Sequence, residues 1–243
     1  MISSGRTAVV VGGGTGIGAG CAIGLAEDGF RVAIGGRRND KLKEVAARFD
    51  GEPGIITHAV DVGDCDSVDT FFAWANRELG DIDILVNSAG VNVPKRTIAE
   101  LSPEDWDKMM SINATGAFNC IHAVLPRMRD RRDGVIIQIS SIAGVRASTL
   151  GGVGYSASKF AMSALGLTVA REVLEEGVRI TNLYPGEVET PLLDHRPQPV
   201  SAERRAKMLQ PEDVADMVVA IAKLPPRAHV PEITIKPTNQ DFA

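Results

Sequence analysis

The sequence predicts a doubly wound α/β fold: one parallel sheet of seven strands, helices on both faces, and a single domain over residues 1–243. Three observations predict it. Short β-branched apolar runs alternate with helix-length stretches along the whole chain, the pattern of repeated strand–helix–strand units. The strand runs are apolar at consecutive positions, as strands covered on both faces must be. The first of them passes through a glycine-rich turn into a helix, and no Pro/Gly/Ser-rich linker divides the rest of the chain.

Residues 7–11 form the first strand. Gly12, Gly13, Gly14, Thr15, Gly16, Ile17 and Gly18 come next, and a helix is expected over residues 17–28. Absent side chains let such a backbone approach a pyrophosphate, and the helix N-terminus adds amides and a positive dipole end. The spacing Gly12-x-x-x-Gly16-x-Gly18 therefore predicts a nucleotide site. Residues 30–35 form the second strand, which runs into Gly36, Arg37 and Arg38. A dinucleotide site for NAD places an acid near this point for the ribose 2′-hydroxyl. Here two arginines stand instead, and a guanidinium fork suits a 2′-phosphate. NADP is expected over NAD.

Residues 39–49 read as a helix with Asn39 as N-cap. The third strand, residues 55–60, ends at Asp61 and Val62; an acid there accepts from an adenine amino group or serves only a turn. A helix starts at Asp64 or Asp66 and runs to 79. The fourth strand, residues 82–86, leads into Asn87, Ser88, Ala89 and Gly90, small enough for the backbone to lie against a cofactor. Ser102, Pro103, Glu104 and Asp105 make a strong helix start, and the pattern continues through Asn113 to 129. Asn113 competes for backbone bonds in mid-helix, and its apolar neighbours Ile112, Ala114 and Ala117 point to a buried polar role.

Residues 134–139 form the fifth strand, ending at Ser140 and Ser141, where doubly wound sheets bind ligands. A helix over residues 155–174 and a sixth strand over 178–184 come after it. Pro185, Gly186, Glu187, Val188, Glu189 and Thr190 close that strand. Residues 190–210 are rich in proline and charge with weak periodicity, which suits a mobile lid over a pocket. A helix over 211–223 and a last strand over 232–236 complete the pattern. Right-handed crossovers place every strand's carboxyl end on one edge.

Tyr155 and Lys159 stand four apart at the start of their helix, on one face and one turn from each other. An ammonium about 4–5 Å from a phenol, at an effective dielectric near 20, favours the phenolate by roughly 3–4 kcal/mol. Before desolvation that lowers the phenol pKa by about two to three units, toward the range of general acid–base work.

The net charge of -5 and the pI near 5.4 argue against a nucleic-acid surface and a cationic membrane anchor. Cys21, Cys65 and Cys120 are odd in number with no Cys-x-x-Cys, so a reducing compartment is expected rather than a disulfide framework. The four histidines show no metal-ligand spacing, and no metal is expected. With neither an apolar signal region nor a bilayer-length span, the expectation is a soluble cytoplasmic protein.

Taken in order, Gly12-x-x-x-Gly16-Ile17-Gly18, Asp61-Val62, Asn87-Ser88-Ala89-Gly90, Asn113, Ser140-Ser141, Tyr155-x-x-x-Lys159 and Pro185-Gly186-x-Val188-x-Thr190 resemble the short-chain dehydrogenase/reductase family in its compact single-domain, Rossmann-type form. The resemblance implies that Tyr155 is the general acid–base and that Lys159 holds the nicotinamide ribose and lowers the phenol pKa. It implies that Ser141, the second serine of its pair, bonds the substrate oxygen and that Asn113 organises a water relay to Lys159. For the cofactor it implies the glycine turn with Gly14 and Thr15, Arg37 and Arg38, Asp61 and Val62 at the adenine, and Asn87, Ser88, Ala89 and Gly90 at the adenine ribose region. Pro185, Gly186, Val188 and Thr190 would lie at the nicotinamide. Ser88 stands where the family more often has a second asparagine. The tail through Pro231, Glu232 and Pro237 is similar to NADP-dependent members acting on 3-hydroxy acids, serine-like compounds or small aldehydes. The family also implies a homotetramer, or a homodimer.

The leading expectation is an NADP-dependent oxidoreductase acting on the CH–OH group of a small alcohol or carbonyl substrate. The alternatives are a 3-oxoacyl thioester reductase, a sugar or polyol dehydrogenase, and a non-catalytic dinucleotide-sensing protein. Nucleotide-sugar epimerases need a larger C-terminal region than this chain has after Gly186. Pocket candidates are Val91, Val93, Arg146, Leu150, Gly151, Tyr184 and Glu187, with Leu192, Leu193, His195 and Arg196 from the lid.

Overall fold

In the computed structural model, which describes residues 5–241, seven parallel strands lie in the order β3-β2-β1-β4-β5-β6-β7. They are β1 (Thr7–Val11), β2 (Arg31–Gly36), β3 (Ile56–Ala59), β4 (Ile84–Asn87), β5 (Gly134–Ile139), β6 (Val178–Pro185) and β7 (Glu232–Ile235). The order reverses at β1. Val11 pairs with Gly35 of β2 on one side and Asn87 of β4 on the other. The connections leaving those two strands diverge and open a crevice at their carboxyl ends, the ligand site of open parallel sheets.

Alternation along each strand divides the core in two. Ala8, Val10, Ile84, Val86, Val135 and Ile137 face one layer of helices. That layer holds α1 (Gly16–Glu27), α2 (Asn39–Ala46) and, at the far end of the chain, Pro211–Ala222. Val9, Val11, Leu85, Ile136 and Ile180 face the other. There lie α3 (Cys65–Leu79), α4 (Pro103–Met109), α5 (Gly116–Arg131) and α6 (Val153–Glu172). Because both faces are covered, β1, β4, β5 and β6 are buried at every position, including the polar Gln138 of β5 and Arg179, Thr181 and Asn182 of β6.

Helix starts follow local chemistry. Asp64 caps α3 by accepting from Asp66 and Ser67 amides, and Ser102 caps α4 by accepting from the Asp105 amide, with Pro103 at the first turn. The helix expected to run unbroken from Ser102 to residue 129 is divided. Met110–Thr115 is a π turn between α4 and α5. The extra residue turns Asn113 inward, where its side chain bonds outside the helix, a need that apolar periodicity does not register.

Residues 190–210 also depart from expectation. Pro191–His195 forms a 3-10 turn and α7 (Ala202–Arg205) comes after it, before α8 (Pro211–Ala222). A parallel bridge joins Val188 to Leu209. Glu187 pairs with Arg196 at 2.8 Å and Arg204 at 2.9 Å, and Arg205 pairs with Glu189 at 2.7 Å and Asp194 at 2.9 Å. The segment is a strap held by charge, which explains how it orders without an apolar stripe. No helix of the described residues is long and apolar enough to cross a membrane.

Candidate active site

A cleft of ≈ 560 Å³ opens at the point where the strand order reverses. Its floor is the glycine turn. Gly12 has φ +77, and a Cβ there would lie 2.5 Å from the Ala89 amide nitrogen, so only glycine lets the turn pass this close to the segment after β4. Helix α1 then begins with no side-chain cap on its amides and no acid in its first turn. That end of the helix is built for an anion. At the end of β2, Arg37 and Arg38 border the cleft, both exposed, and Arg38 reaches Thr15 Oγ1 at 3.5 Å. Among the described residues no partner holds the Arg37 guanidinium. These features fit a phosphorylated dinucleotide.

Of the residues singled out in the sequence, Gly12, Gly14, Thr15, Gly16, Ile17, Arg37, Arg38, Asp61, Val62, Ser88, Ala89, Gly90, Tyr155, Lys159 and Thr190 line the cleft together. Gly18 lies beneath, where a Cβ would run into the Gly12 carbonyl. Asn87 is turned away: it is buried and donates to Gln138 Oε1 at 2.6 Å, tying β4 to β5. It is the last residue of β4, and strand alternation points its side chain into a core layer. Pro185, Gly186 and Val188 do not line the cleft: Gly186 packs against Lys236 and Gln240, and Val188 bridges to Leu209. Of the substrate-side candidates, Val91, Val93, Leu192 and His195 reach the wall. Tyr184 does not: its hydroxyl donates to Glu232 at 2.6 Å. Leu150 and Glu187 line a separate hollow beneath the strap.

Tyr155 sits one turn into α6, half-buried at the cleft wall, with Ser141 at the end of β5 hydrogen-bonded to its phenol. Ser140 borders the cleft, but its hydroxyl is engaged inside, 2.9 Å from Ser163 Oγ and 3.2 Å from the Lys159 carbonyl. Ser141 is therefore the serine that faces the phenol. Its Oγ also accepts from the Ala143 amide at 3.1 Å, which fixes its rotamer.

The charge arrangement differs from expectation. Lys159 is buried, and its ammonium donates to the Ile139 carbonyl at 2.8 Å and approaches Met162 Sδ at 3.6 Å, lying 5.9 Å from the centre of the Tyr155 ring. Burial pushes its pKa down to about 8. Burial raises the Tyr155 phenol above its ordinary value, opposed by the Ser141 hydrogen bond and the positive charge of Arg96. The expected lowering by Lys159 is not found, because its ammonium is drawn to a backbone carbonyl while desolvation works on both groups.

Asn113 is fully buried and joins two walls. Its Oδ1 accepts from the Val91 amide at 2.8 Å, and its Nδ2 donates to the Val91 carbonyl and to Ser158 Oγ, both at 2.9 Å. Ser158 in turn donates to the Tyr155 carbonyl at 2.8 Å. No direct bond links Asn113 to Lys159; a Cβ on Gly90 would lie 3.6 Å from Asn113 Oδ1 and 3.5 Å from Lys159 Nζ, so this glycine keeps the space between them open.

Arg96 was not legible in the sequence. It lies in the irregular stretch between β4 and α4, where a charged residue reads as solvated, yet it is 6% exposed. Only its burial marks it.

The family model for short chain dehydrogenases matches residues 6–200. An uncharacterized oxidoreductase of Staphylococcus saprophyticus is 36% identical over 237 residues, 96% of this chain and 97% of that protein. Among solved structures, an alcohol dehydrogenase from the archaeon Thermococcus sibiricus, complexed with 5-hydroxy-NADP, matches with a TM-score of 0.87 at 30% identity, over 97% of this chain and 98% of the other. The closed form of a serine dehydrogenase complexed with NADP+ matches with a TM-score of 0.89 at 29% identity, over 98% of this chain and 97% of the other.

Proposed function

This chain belongs to the short-chain dehydrogenase family and is an oxidoreductase, and from that premise we propose that it passes a hydride between NADP(H) and the alcohol or carbonyl carbon of a small substrate, with Tyr155 moving the proton. The observation that carries the reading is the Tyr155 phenol hydrogen-bonded to Ser141 at the wall of the cleft. A bound nicotinamide supplies or accepts the hydride. Ser141 holds the substrate oxygen, and the raised phenol stays protonated at neutral pH, ready to donate to that oxygen as a carbonyl is reduced. Oxidation runs the proton the other way and requires the phenolate, so alkaline pH favours it.

For the cofactor, the glycine turn and the open end of α1 receive the pyrophosphate. Asp61 and Val62 take the adenine side, Ser88, Ala89 and Gly90 its ribose, Lys159 and Tyr155 the nicotinamide ribose, and Thr190, with Val188 behind it, the amide. The preference for NADP is supported by Arg37 and Arg38 at the end of β2 and by the NADP-type ligands of the two solved structures. The substrate is taken as a small aldehyde, ketone or 3-hydroxy acid, a reading supported by the similarity to an alcohol dehydrogenase and a serine dehydrogenase. We take the whole chain as one NADP-binding domain with residues 190–210 as its substrate cover, assembled into a homotetramer or a homodimer.

Tyr155→Phe keeps the ring and deletes the hydroxyl. NADPH affinity should fall only slightly, because the hydroxyl supplies one contact to the nicotinamide ribose while the glycine turn, Arg37 and Lys159 keep theirs, and single-turnover reduction of a carbonyl panel should slow by about 10² to 10⁴. Near-normal chemistry in this variant would remove Tyr155 from the mechanism. The Arg37→Ala variant should weaken NADPH by roughly 1.5–3 kcal/mol, the worth of a hydrogen bond to a charged group. NADH should hardly change; equal losses for both cofactors would refute the NADP preference.

A further inference from the structure

The ladder between β6 and β7 runs one bond past the strands: the Gly186 amide donates to the Ile235 carbonyl at 2.8 Å. The next amide, that of Glu187, has no strand left to pair with, and a backbone donor left unpaired away from water is costly. A side chain takes the place of the strand: Gln240 Oε1 accepts from the Glu187 amide at 2.8 Å. Local chemistry brings that amide group there. Pro237 is buried and, without an N–H, cannot extend the ladder. The Gln240 amide donates back to the Pro237 carbonyl at 3.0 Å and closes a turn. Lys236 staples the turn, its ammonium donating to the Gln240 carbonyl at 2.7 Å and to the Pro237 carbonyl at 3.4 Å. The turn lies so close over Gly186 that a Cβ there would run into Gln240 Oε1 and lie 2.9 Å from Lys236 Cβ.

Glu187 is a junction. Its amide goes to Gln240, its carbonyl accepts from the Leu209 amide at 3.0 Å, and its carboxylate takes Arg196 and Arg204 of the strap. The Glu189 amide returns to the Leu209 carbonyl at 2.8 Å. Just beyond, Thr190 lines the cleft, so near the glycine turn that a Cβ on Gly16 would lie 3.0 Å from Thr190 Cγ2. A shift of this loop is therefore felt inside the cleft. Gln240 itself lies on the separate hollow beneath the strap and does not line the cleft. We infer that Gln240 is a positioning residue for the nicotinamide end of the cleft: it fixes Glu187, and through Glu187 it sets where Thr190 and the strap stand. The inference rests on the proposed function, in which Thr190 meets the nicotinamide amide. The adenine end is built from the glycine turn, Arg37, Arg38 and Asp61, and among the described residues these take no hydrogen bond from the segment after β7.

Gln240→Met keeps the length of the side chain and removes the acceptor, while Gln240→Glu keeps an oxygen in its place. Adenosine 2′,5′-bisphosphate carries only the adenine half of NADPH and probes that end alone. In Gln240→Met, NADPH should bind about five- to tenfold more weakly, the worth of one hydrogen bond, while adenosine 2′,5′-bisphosphate stays within about twofold of the parent. Gln240→Glu should recover NADPH affinity to within about twofold. Hydrogen exchange in the cofactor-free protein gives a second reading. The Glu187 and Leu209 amides should exchange about five- to tenfold faster in Gln240→Met, with β1 and β4 unchanged. Equal weakening of both ligands, or a Gln240→Glu variant as weak as Gln240→Met, overturns the inference. So does unchanged exchange at Glu187, or exchange raised as much in β1 and β4, which would make the bond one of general stability. A parent that fails to bind NADPH would undo the proposed function instead, and the exchange pattern, which needs no cofactor, would still decide whether Gln240 holds Glu187 and the strap.

Discussion

At the scale of single residues, the site places a lysine where folding disfavours it. Lys159 titrates at about 8 in the folded chain against an ordinary 10.5. The unfolded chain holds that proton to higher pH than the folded one. Stability from this group is therefore gained as pH rises between about 8 and 10.5, and below 8 the full cost of burying the charge is present, at most about 3 kcal/mol. Lys159→Met removes that cost but leaves the Ile139 carbonyl without its donor, which takes back about 1–3 kcal/mol. The expected net at pH 7 is a gain of up to about 2 kcal/mol, or roughly 2–8 °C in melting temperature for a chain of this size. The gain should shrink and reverse by pH 10 while turnover falls at least about 10²-fold. Thermal melts at the two pH values check the sign; a destabilised variant at pH 7 would contradict it. The Tyr155–Lys159 pair is legible in sequence because four-residue spacing on a helix is geometry. Where the ammonium points is not legible, since the Ile139 carbonyl that attracts it comes from a strand 20 residues earlier. Arg96 is hidden for the same reason: its three carbonyl partners lie up to 99 residues away.

Among elements, the strands are the most legible, because the central ones, β1, β4 and most of β5, are nearly unbroken apolar runs buried on both faces. Differences there are shifts of one or two residues at the ends; β4 starts at Ile84, two residues later than expected. The larger miss is the π turn. One inserted residue scarcely disturbs the spacing of apolar positions, so the pattern from Ser102 to 129 reads as continuous although Asn113 needs the break. That side chain acts as a rung between α4–α5 and the segment after β4, bonding both the amide and the carbonyl of Val91. Asn113→Ala would leave both groups and Ser158 Oγ with fewer partners. A loss of about 2–4 kcal/mol in unfolding free energy is expected, from more than one buried group left unsatisfied. The Val91 amide should exchange with solvent markedly faster, and NADPH should bind more weakly because Ser88, Ala89 and Gly90 lose their support. Unchanged exchange at Val91 would mean that the segment is held by something else. The strap escapes the sequence because its order comes from ion pairs such as Arg205 with Glu189 and Asp194, which carry no period.

For the molecule as a whole, the surface left after folding carries information that the core does not. Phe118 on α5 is 51% exposed and Phe160 on α6 is 42% exposed, with Phe118 stacked on His122 one turn along at 5.6 Å. The inner faces of these helices are packed by Ile121, Val124, Met128, Met162 and Val169, while Phe118 and Phe160 are left out on their outer faces, the kind of apolar surface a partner covers. A second copy of the chain is the partner that fits the proposed homotetramer or homodimer, since a two-fold axis sets the same face of each subunit against the other. Covering roughly half of a phenylalanine ring removes about 100 Å² from water, or about 2.5 kcal/mol. Four such rings across a two-fold give about 10 kcal/mol, which is comparable to the 4–15 kcal/mol cost of association. The rings are thus decisive without being sufficient, and the rest must come from a contact of about 800 Å² on each subunit. Phe118→Glu places a charge at that face twice over in each two-fold pair. It should weaken subunit association by at least about 10³-fold, since two anchors are lost and two carboxylates are buried without counter-ions. In sedimentation at micromolar concentration the parent should run as an oligomer and Phe118→Glu as the 25.8 kDa chain. Because Phe118 lies outside the cleft, NADPH affinity measured on the separated chain should stay within about threefold of the parent, less than the tenfold that 1.4 kcal/mol represents. A parent that sediments as a single chain would remove the assembly. A variant that remains oligomeric would move the interface to another face of the molecule.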